Sequence, residues 1–200
     1  MLSWHGPAGP PESLHRRFES LAETPAALYK LVPHAAHPGE ELVPLLLLRD
    51  LGRRDVVAFA TGEAGAWTRL VAPRLGAPWL FAAAGEVPAA PGQPTLATLE
   101  RDFGLPALAP VAWLAGVVGR PVSHSRSPRL HNGGYRALGL PGLYLPLHVE
   151  AFGEFWLEVV ESGLLEELGF PWRGLSVTTP HKEAALAEKR ACVRAYRPST

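Results

Sequence analysis

Cysteine and methionine are nearly missing from this chain: Cys192 is the single cysteine and Met1 the single methionine among 200 residues. One thiol cannot close an intramolecular disulfide, so no cross-linked scaffold is expected, and a lone cysteine suits a reducing compartment. Net charge is missing too, because 19 basic and 19 acidic residues cancel. The basic residues are scattered, without the aromatic–basic interleaving that single-strand binders use, which argues against a nucleic-acid partner. No window reaches eighteen uncharged apolar residues, and the start Met-Leu-Ser-Trp-His-Gly-Pro has neither a basic n-region nor an apolar h-region. Those two absences predict a soluble, cytoplasmic protein with no membrane partner. Lysine is the last scarcity: only Lys30, Lys182 and Lys189 stand among the 19 basic residues, the rest being Arg. Arg keeps its proton near neutrality, whereas a desolvated Lys can lose it and act as nucleophile or base, so the retained lysines are candidates for chemistry.

What is present is an alternating pattern. Hydrophobic residues make up 47% of the chain, enough for one large or two small cores. Apolar runs predict strands over 2–4, 27–32, 56–60 and 79–84, and amphipathic stretches predict helices over 11–22, 39–51, 64–75 and 95–103, the second bent or shortened by Pro44. Four β-α units in succession imply parallel strands with right-handed crossovers, and four units are half of a (β/α)8 barrel. Gly104-Leu-Pro-Ala-Leu-Ala-Pro110 is uncharged and punctuated by proline, so a boundary is placed there, with a linker over 105–112. The pattern restarts with strands over 113–118, 143–149 and 175–178 and helices over 127–138, 152–168 and 181–189, a small α/β sandwich over 113–189. Residues 190–200 carry no periodicity and are expected to be irregular. The predicted fold class is therefore α/β, the C-terminal half of a (β/α)8 barrel followed by a small α/β sandwich.

In the first unit, His5 and Lys30 fall at or near the ends of successive strands. A Lys in an apolar, half-closed mouth has a depressed pKa and can attack a ketone to form a Schiff base, whose iminium stabilises a carbanion on the next carbon. His5 beside it is the natural base for that carbon's proton. Arg69 offers a bidentate clamp for a carboxylate and Gln93 a further polar contact. Ser3-Trp4-His5, Lys30, Thr68-Arg69 and Ala90-Pro91-Gly92-Gln93 occur in that order, and residues 1–104 resemble the carboxyl-terminal half of type I 3-dehydroquinate dehydratase. The resemblance implies that His5 is the base, Lys30 the imine-forming residue, Arg69 the carboxylate ligand, and the Ala-Pro-Gly-Gln loop a cover over the substrate. Thr68 stands where the family usually has Ser, and residues 56–61 replace a methionine-rich strand. The family's first four strands and their acidic residue are expected to lie outside this chain. A half barrel would expose unpaired strand edges, so a homodimer or a complementing chain is an expected partner.

In the second unit, "GRPVSHSRSPRLHN" (119–132) packs hydroxyls and positive charges between a strand and a helix that opens with Pro128, a setting suited to an anion at a helix N-terminus. With "VTTPHK" (177–182), it resembles the substrate-binding domain of shikimate dehydrogenase over about residues 114–188. That resemblance implies that Ser125 and Ser127 bind the substrate carboxylate, Thr178 the ring hydroxyls, and that Lys182 is the catalytic lysine at the reacting oxygen. A plain N-cap role for Ser127 stays open. Ser176 replaces the family's usual asparagine. The family uses NADP, yet no G-x-G-x-x-G occurs in this chain, so its nucleotide domain is expected to be absent. His124, His131 and His181 are expected to pack or cap, and no metal is expected. The order of the two units resembles a bifunctional dehydroquinate dehydratase/shikimate dehydrogenase, here a truncated one acting on a small hydroxylated ring carboxylate. A non-catalytic or regulatory protein that binds shikimate-type ligands is the alternative.

Overall fold

The computed structural model describes residues 1–85, 88, 90, 92–107 and 109–195, the last seven of these as backbone only. The elements run β1 (Leu2–Pro7), α1 (Pro11–Ala22), β2 (Tyr29–His34), α2 (Val43–Leu51), β3 (Val56–Ala58), α3 (Thr68–Val71), α4 (Leu96–Phe103), β4 (Trp113–Gly119), α5 (Ser127–Ala137), β5 (Gly142–His148), α6 (Phe152–Phe155), α7 (Leu164–Glu167), β6 (Trp172–Val177) and α8 (Lys182–Ala195). Two parallel sheets result, ordered β1-β2-β3 and β5-β4-β6. The α/β class with parallel strands is thus as the alternating pattern predicts.

Three local expectations fail, each for a physical reason. Residues 79–84 form no strand: Ala83 N–H donates to the Pro94 carbonyl and Leu96 N–H to the Ala83 carbonyl, at 2.9 Å each, so this segment spends its backbone on the approach to α4. The predicted fourth strand is therefore a single bridge, Ala83 to Thr95. The helix expected over 152–168 is interrupted: α6 runs into a π turn (Trp156–Val160), and Gly163, at φ +73°, starts α7 afresh. Glycine tolerates that left-handed backbone without a Cβ clash. Finally, α8 continues helical to Ala195 rather than turning irregular at 190, and residues 196–200 lie outside the described residues. Pro44 behaves as a helix opener, because a 3-10 turn (Glu40–Leu42) precedes it and its missing N–H falls in the first turn of α2.

The two sheets share a core. Leu31 and Val56 of the first, with Leu45 and Leu47 of α2, are fully buried in one cluster with Leu114, Val118, Leu145 and Leu147 of the second, and the Trp67 and Trp172 rings meet at 6.4 Å. The opposite face of β4 builds a smaller cluster from Ala115, Val117, Val122 and Tyr144. Strand alternation divides β4 between them.

Candidate functional site

Parallel register brings the first group together. Ser3 is the cross-strand partner of Lys30 and His5 that of Val32, so period-two alternation puts Ser3, His5 and Lys30 on one sheet face. Lys30 pairs onward with Val57, which sets Phe59 on the same face. Lys30 Nζ lies 4.2 Å from the Phe81 ring centroid and 6.0 Å from that of Phe59, and the Arg69 guanidinium carbon 4.2 Å from Phe59. Lys30 and Arg69 thus gather around two aromatic rings, with His5 on the same sheet face as Lys30. Their positions along the strands differ from the expectation: Lys30 is the second residue of β2, and β1 continues two residues past His5. The long lysine side chain reaches the rings from there.

Arg69 is held from behind. Thr68 is fully buried, its hydroxyl donating to the Gly65 carbonyl at 2.7 Å and accepting from Ala60 N–H at 2.9 Å. That pair of bonds ties the end of β3 to the start of α3 and fixes the residue next in line. Arg69 itself is 4% exposed and its Nε has no acceptor. Burial pushes the Arg69 guanidinium down to about 10. Burial, then the charge of Arg69, lowers the Lys30 ammonium; burial, then the charges of Lys30 and Arg69, lowers the His5 imidazole. His5 is open on its outer side, yet the protein beneath it removes enough water to act. Each shift favours the neutral form of His5 and Lys30, the form in which an amine attacks and an imidazole accepts a proton.

Gln93 lines a cavity of about 350 Å³ together with Trp67, Thr98, Ser123 and His148, so the loop after residue 90 faces the second sheet's loops. Pro91 lies outside the described residues. On the rim of this cavity His148 Nε2 is 2.9 Å from a Glu63 oxygen and 3.0 Å from a Glu150 oxygen. Among the described residues this is the group whose donor atoms could meet at a metal ion, all within 4.8 Å. Arg120 also pairs with Glu150, and that cation fills the place of a second positive charge, so the group reads as an ion-pair cluster joining the two sheets.

The second group sits at the carboxyl ends of β4 and β6. Thr178 N–H donates to the Val118 carbonyl at 2.8 Å and Arg120 N–H to the Thr179 carbonyl at 3.0 Å, continuing the ladder beyond both strands. Gly119 faces Thr178 so closely that a Cβ would come within 2.4 Å of its methyl group. Ser125, half-buried, accepts from Ser127 N–H at 3.3 Å; its hydroxyl therefore does the capping, and no cap bond is made by the Ser127 side chain. Lys182 opens α8 and is exposed. His181 beside it is buried, its Nε2–H donating to the Val149 carbonyl at 2.7 Å, which anchors the start of α8. The structure thus brings the 119–127 and 178–182 loops together.

Sequence reasoning missed several contributors. Phe59 was legible as the alternate residue on the Lys30 face; Phe81 was not, since its segment reads as a strand. Asn132, buried, donates to the Tyr144 carbonyl and accepts from Tyr144 N–H at 2.9 and 2.8 Å, acting as an extra strand on the free edge of β5. As for a dinucleotide, the loops after β4 and β6 carry Pro121 and Pro180, which lack N–H groups, so neither loop offers the unbroken run of N–H donors of a phosphate cradle.

Comparison with known proteins finds a family model for each part of the chain. The model of type I 3-dehydroquinase matches residues 1–105 and that of the shikimate dehydrogenase substrate binding domain residues 117–189. A bifunctional 3-dehydroquinate dehydratase/shikimate dehydrogenase from Arabidopsis thaliana is 32% identical over 131 residues, 65% of this chain and 20% of that protein. A shikimate dehydrogenase (NADP+) from Rubrobacter xylanophilus is 47% identical over 76 residues, 37% of this chain and 24% of that protein. A solved dehydroquinate dehydratase and shikimate dehydrogenase from S. pombe aligns over 92% of this chain and 34% of its own at 26% identity, with a TM-score of 0.38. The chain spans about a quarter or less of the length of these curated relatives and carries, in its second part, a match to the shikimate dehydrogenase substrate binding domain. With 105 of its 200 residues matched by the first model, the chain belongs to the type I 3-dehydroquinase family.

Proposed function

We propose that this chain serves two consecutive steps of the shikimate pathway, supplying the imine-forming residues of a 3-dehydroquinate dehydratase and the substrate seat of a shikimate dehydrogenase. Residues 1–104 and 113–189 are the two functional units, the first a half barrel whose free β1 edge takes further strands or a second copy. The observation that carries the reading is that Lys30 and His5 share one sheet face and that Arg69, from α3, meets the Phe59 ring beside which Lys30 also stands, Lys30 lying over Phe81 as well. Arg69, buried and without a carboxylate partner among the described residues, binds the substrate carboxylate. Neutral Lys30 attacks the ring ketone; water leaves and an imine forms. Protonated, that imine accepts the electron pair released when His5 removes the proton from the neighbouring carbon. Gln93 adds a polar contact from the covering loop.

In the second unit, Ser125 and Ser127 hold the carboxylate of a shikimate-type ring, Thr178 its hydroxyls, and Lys182 the proton at the reacting oxygen. NADP is the cofactor named for the dehydrogenase relatives, and no step here is routed through it.

Borohydride trapping tests the reading. Incubation with 3-dehydroquinate and sodium borohydride should leave a reduced adduct on the Lys30 peptide, visible by mass spectrometry and lost in Lys30→Ala. Calorimetric binding of shikimate with no adduct would instead establish the non-catalytic binding protein.

A further inference from the structure

A second cavity, of about 240 Å³, lies at the other ends of the same elements. Its walls include Arg74 from the turn after α3, Phe103 from the end of α4, Val111 before β4, and Tyr135, Arg136 and Leu140 from α5 and its exit. It therefore opens beside the amino ends of β4 and β5. Ser125, Thr178 and Lys182 stand at the opposite, carboxyl end of that sheet, and Lys30, His5 and Arg69 are not among its lining residues.

Its charge is one-sided. None of the described residues that line it carries a carboxylate. Arg74 donates to the Leu70 carbonyl within its own turn, while its Nε is buried without an acceptor. Burial pushes its guanidinium down to about 10, with no carboxylate contributing. Arg136 is exposed and forms no ion pair among the described residues. Its guanidinium lies against Gly104, where a Cβ would come within 3.0 Å of Nε and Nη1; Gly104, at φ +74°, closes α4. Two cations from different parts of the chain thus face one space whose remaining walls are largely apolar. A desolvated guanidinium without a counter-charge is costly, and an entering anion relieves that cost. The apolar walls select among anions: a fully hydrated one leaves Phe103, Val111 and Leu140 uncovered, whereas an anion with an apolar body covers them.

We propose that this cavity binds a small carboxylate with an apolar, ring-sized body, its carboxylate between Arg74 and Arg136 and its body against Phe103, Val111 and Leu140. The site joins the two units, and ligand binding there stabilises their packing by linkage.

The test is a titration of the full chain with sodium benzoate, followed by calorimetry and by amide NMR shifts. The expected result is saturable binding with shifts concentrated at Arg74 and from Tyr135 to Gly142. Arg136→Glu, an exposed change that leaves the core intact, should weaken binding by about tenfold or more, and acetate and inorganic phosphate should bind at least about tenfold more weakly than benzoate. Shifts confined to the Lys30–Arg69 group or to the Ser125 and Thr178 loops overturn the proposal. So does an Arg136→Glu chain that binds benzoate as the parent does. Phosphate binding as tightly as benzoate overturns the apolar body.

Discussion

Around Lys30 the chain gathers cations against aromatic rings, with Arg69 buried and Lys30 lowered by its own burial and then by the Arg69 charge. Around Ser125 it gathers hydroxyls and loop backbone, with Thr178 and Arg120 bonded across the strand ends and Lys182 left in water. Both arrangements suit a carboxylate, but they reach it differently. On the proposed reading, recognition and reactivity in the first come from taking charge out of water, so removing one cation alters the others. In the second, they come from backbone geometry, so loops and the strand edges behind them matter more than charge.

The largest expected effect falls on the second region, through its scaffold. Asn132→Ala leaves both the N–H and the carbonyl of Tyr144 without their partner on the free edge of β5, and each buried unpaired group costs about 1–3 kcal/mol. A loss of roughly 2–4 kcal/mol in denaturant unfolding is expected, together with weaker shikimate binding. If stability hardly changes, the edge is being paired in some other way and the contrast between a scaffolded and a charged site weakens.

Arg69→Leu is the matching test of the first region. Loss of one buried charge-assisted clamp should weaken carboxylate binding by about 100-fold. It should also raise the Lys30 titration, because the Arg69 charge is one of the causes that lower it. The pH dependence of Lys30 acylation, read by mass spectrometry, then moves to higher pH. An unmoved Lys30 profile would mean that burial alone sets its reactivity.

How much of this was legible beforehand follows from the same contrast. The parallel order, the helices α1 and α4 and the placing of His5 and Lys30 on neighbouring strands are readable, because apolar periodicity reports burial and burial is what builds that sheet. The 79–84 segment misleads: it is as apolar as a strand, yet its backbone bonds run to Pro94 and Leu96, partners that periodicity cannot name. Gly163 carries a helix break inside an otherwise helical pattern, and only its φ distinguishes a break from a tolerated glycine. The Ser125 loop was found by its residue order alone, since hydroxyls in a turn carry no period. The role of Asn132 was hidden, because an amide that completes a sheet edge looks in sequence like any polar residue in a helix.

Glu41 tests whether burial of charge is confined to the Lys30 group. It is 2% exposed, one carboxyl oxygen has no partner, and burial raises it to about 7. The unfolded chain ionises this group near its ordinary 4.5 while the native chain keeps the proton until about 7. The unfolded state therefore binds fewer protons in that window, and stability falls as pH rises from about 4.5 to 7, then levels. Glu41→Gln removes that slope and should stabilise the protein at pH 8 by about 1–3 kcal/mol, with no gain at pH 4. Equal effects at both pH values would place the benefit in packing rather than ionisation.

The smallest effect concerns the ion pairs that join the regions. His148, on β5, bonds Glu63 of the first unit and Glu150 of its own. Both carboxylates are largely exposed, so water competes for them and salt screens them. Glu63→Gln keeps a hydrogen-bond acceptor but loses the charge, and a change of no more than about 0.5 kcal/mol is expected, vanishing in high salt. The packing of Trp67 on Trp172 and the shared apolar core then carry the joint. A larger, salt-sensitive loss would show instead that the regions are held together electrostatically.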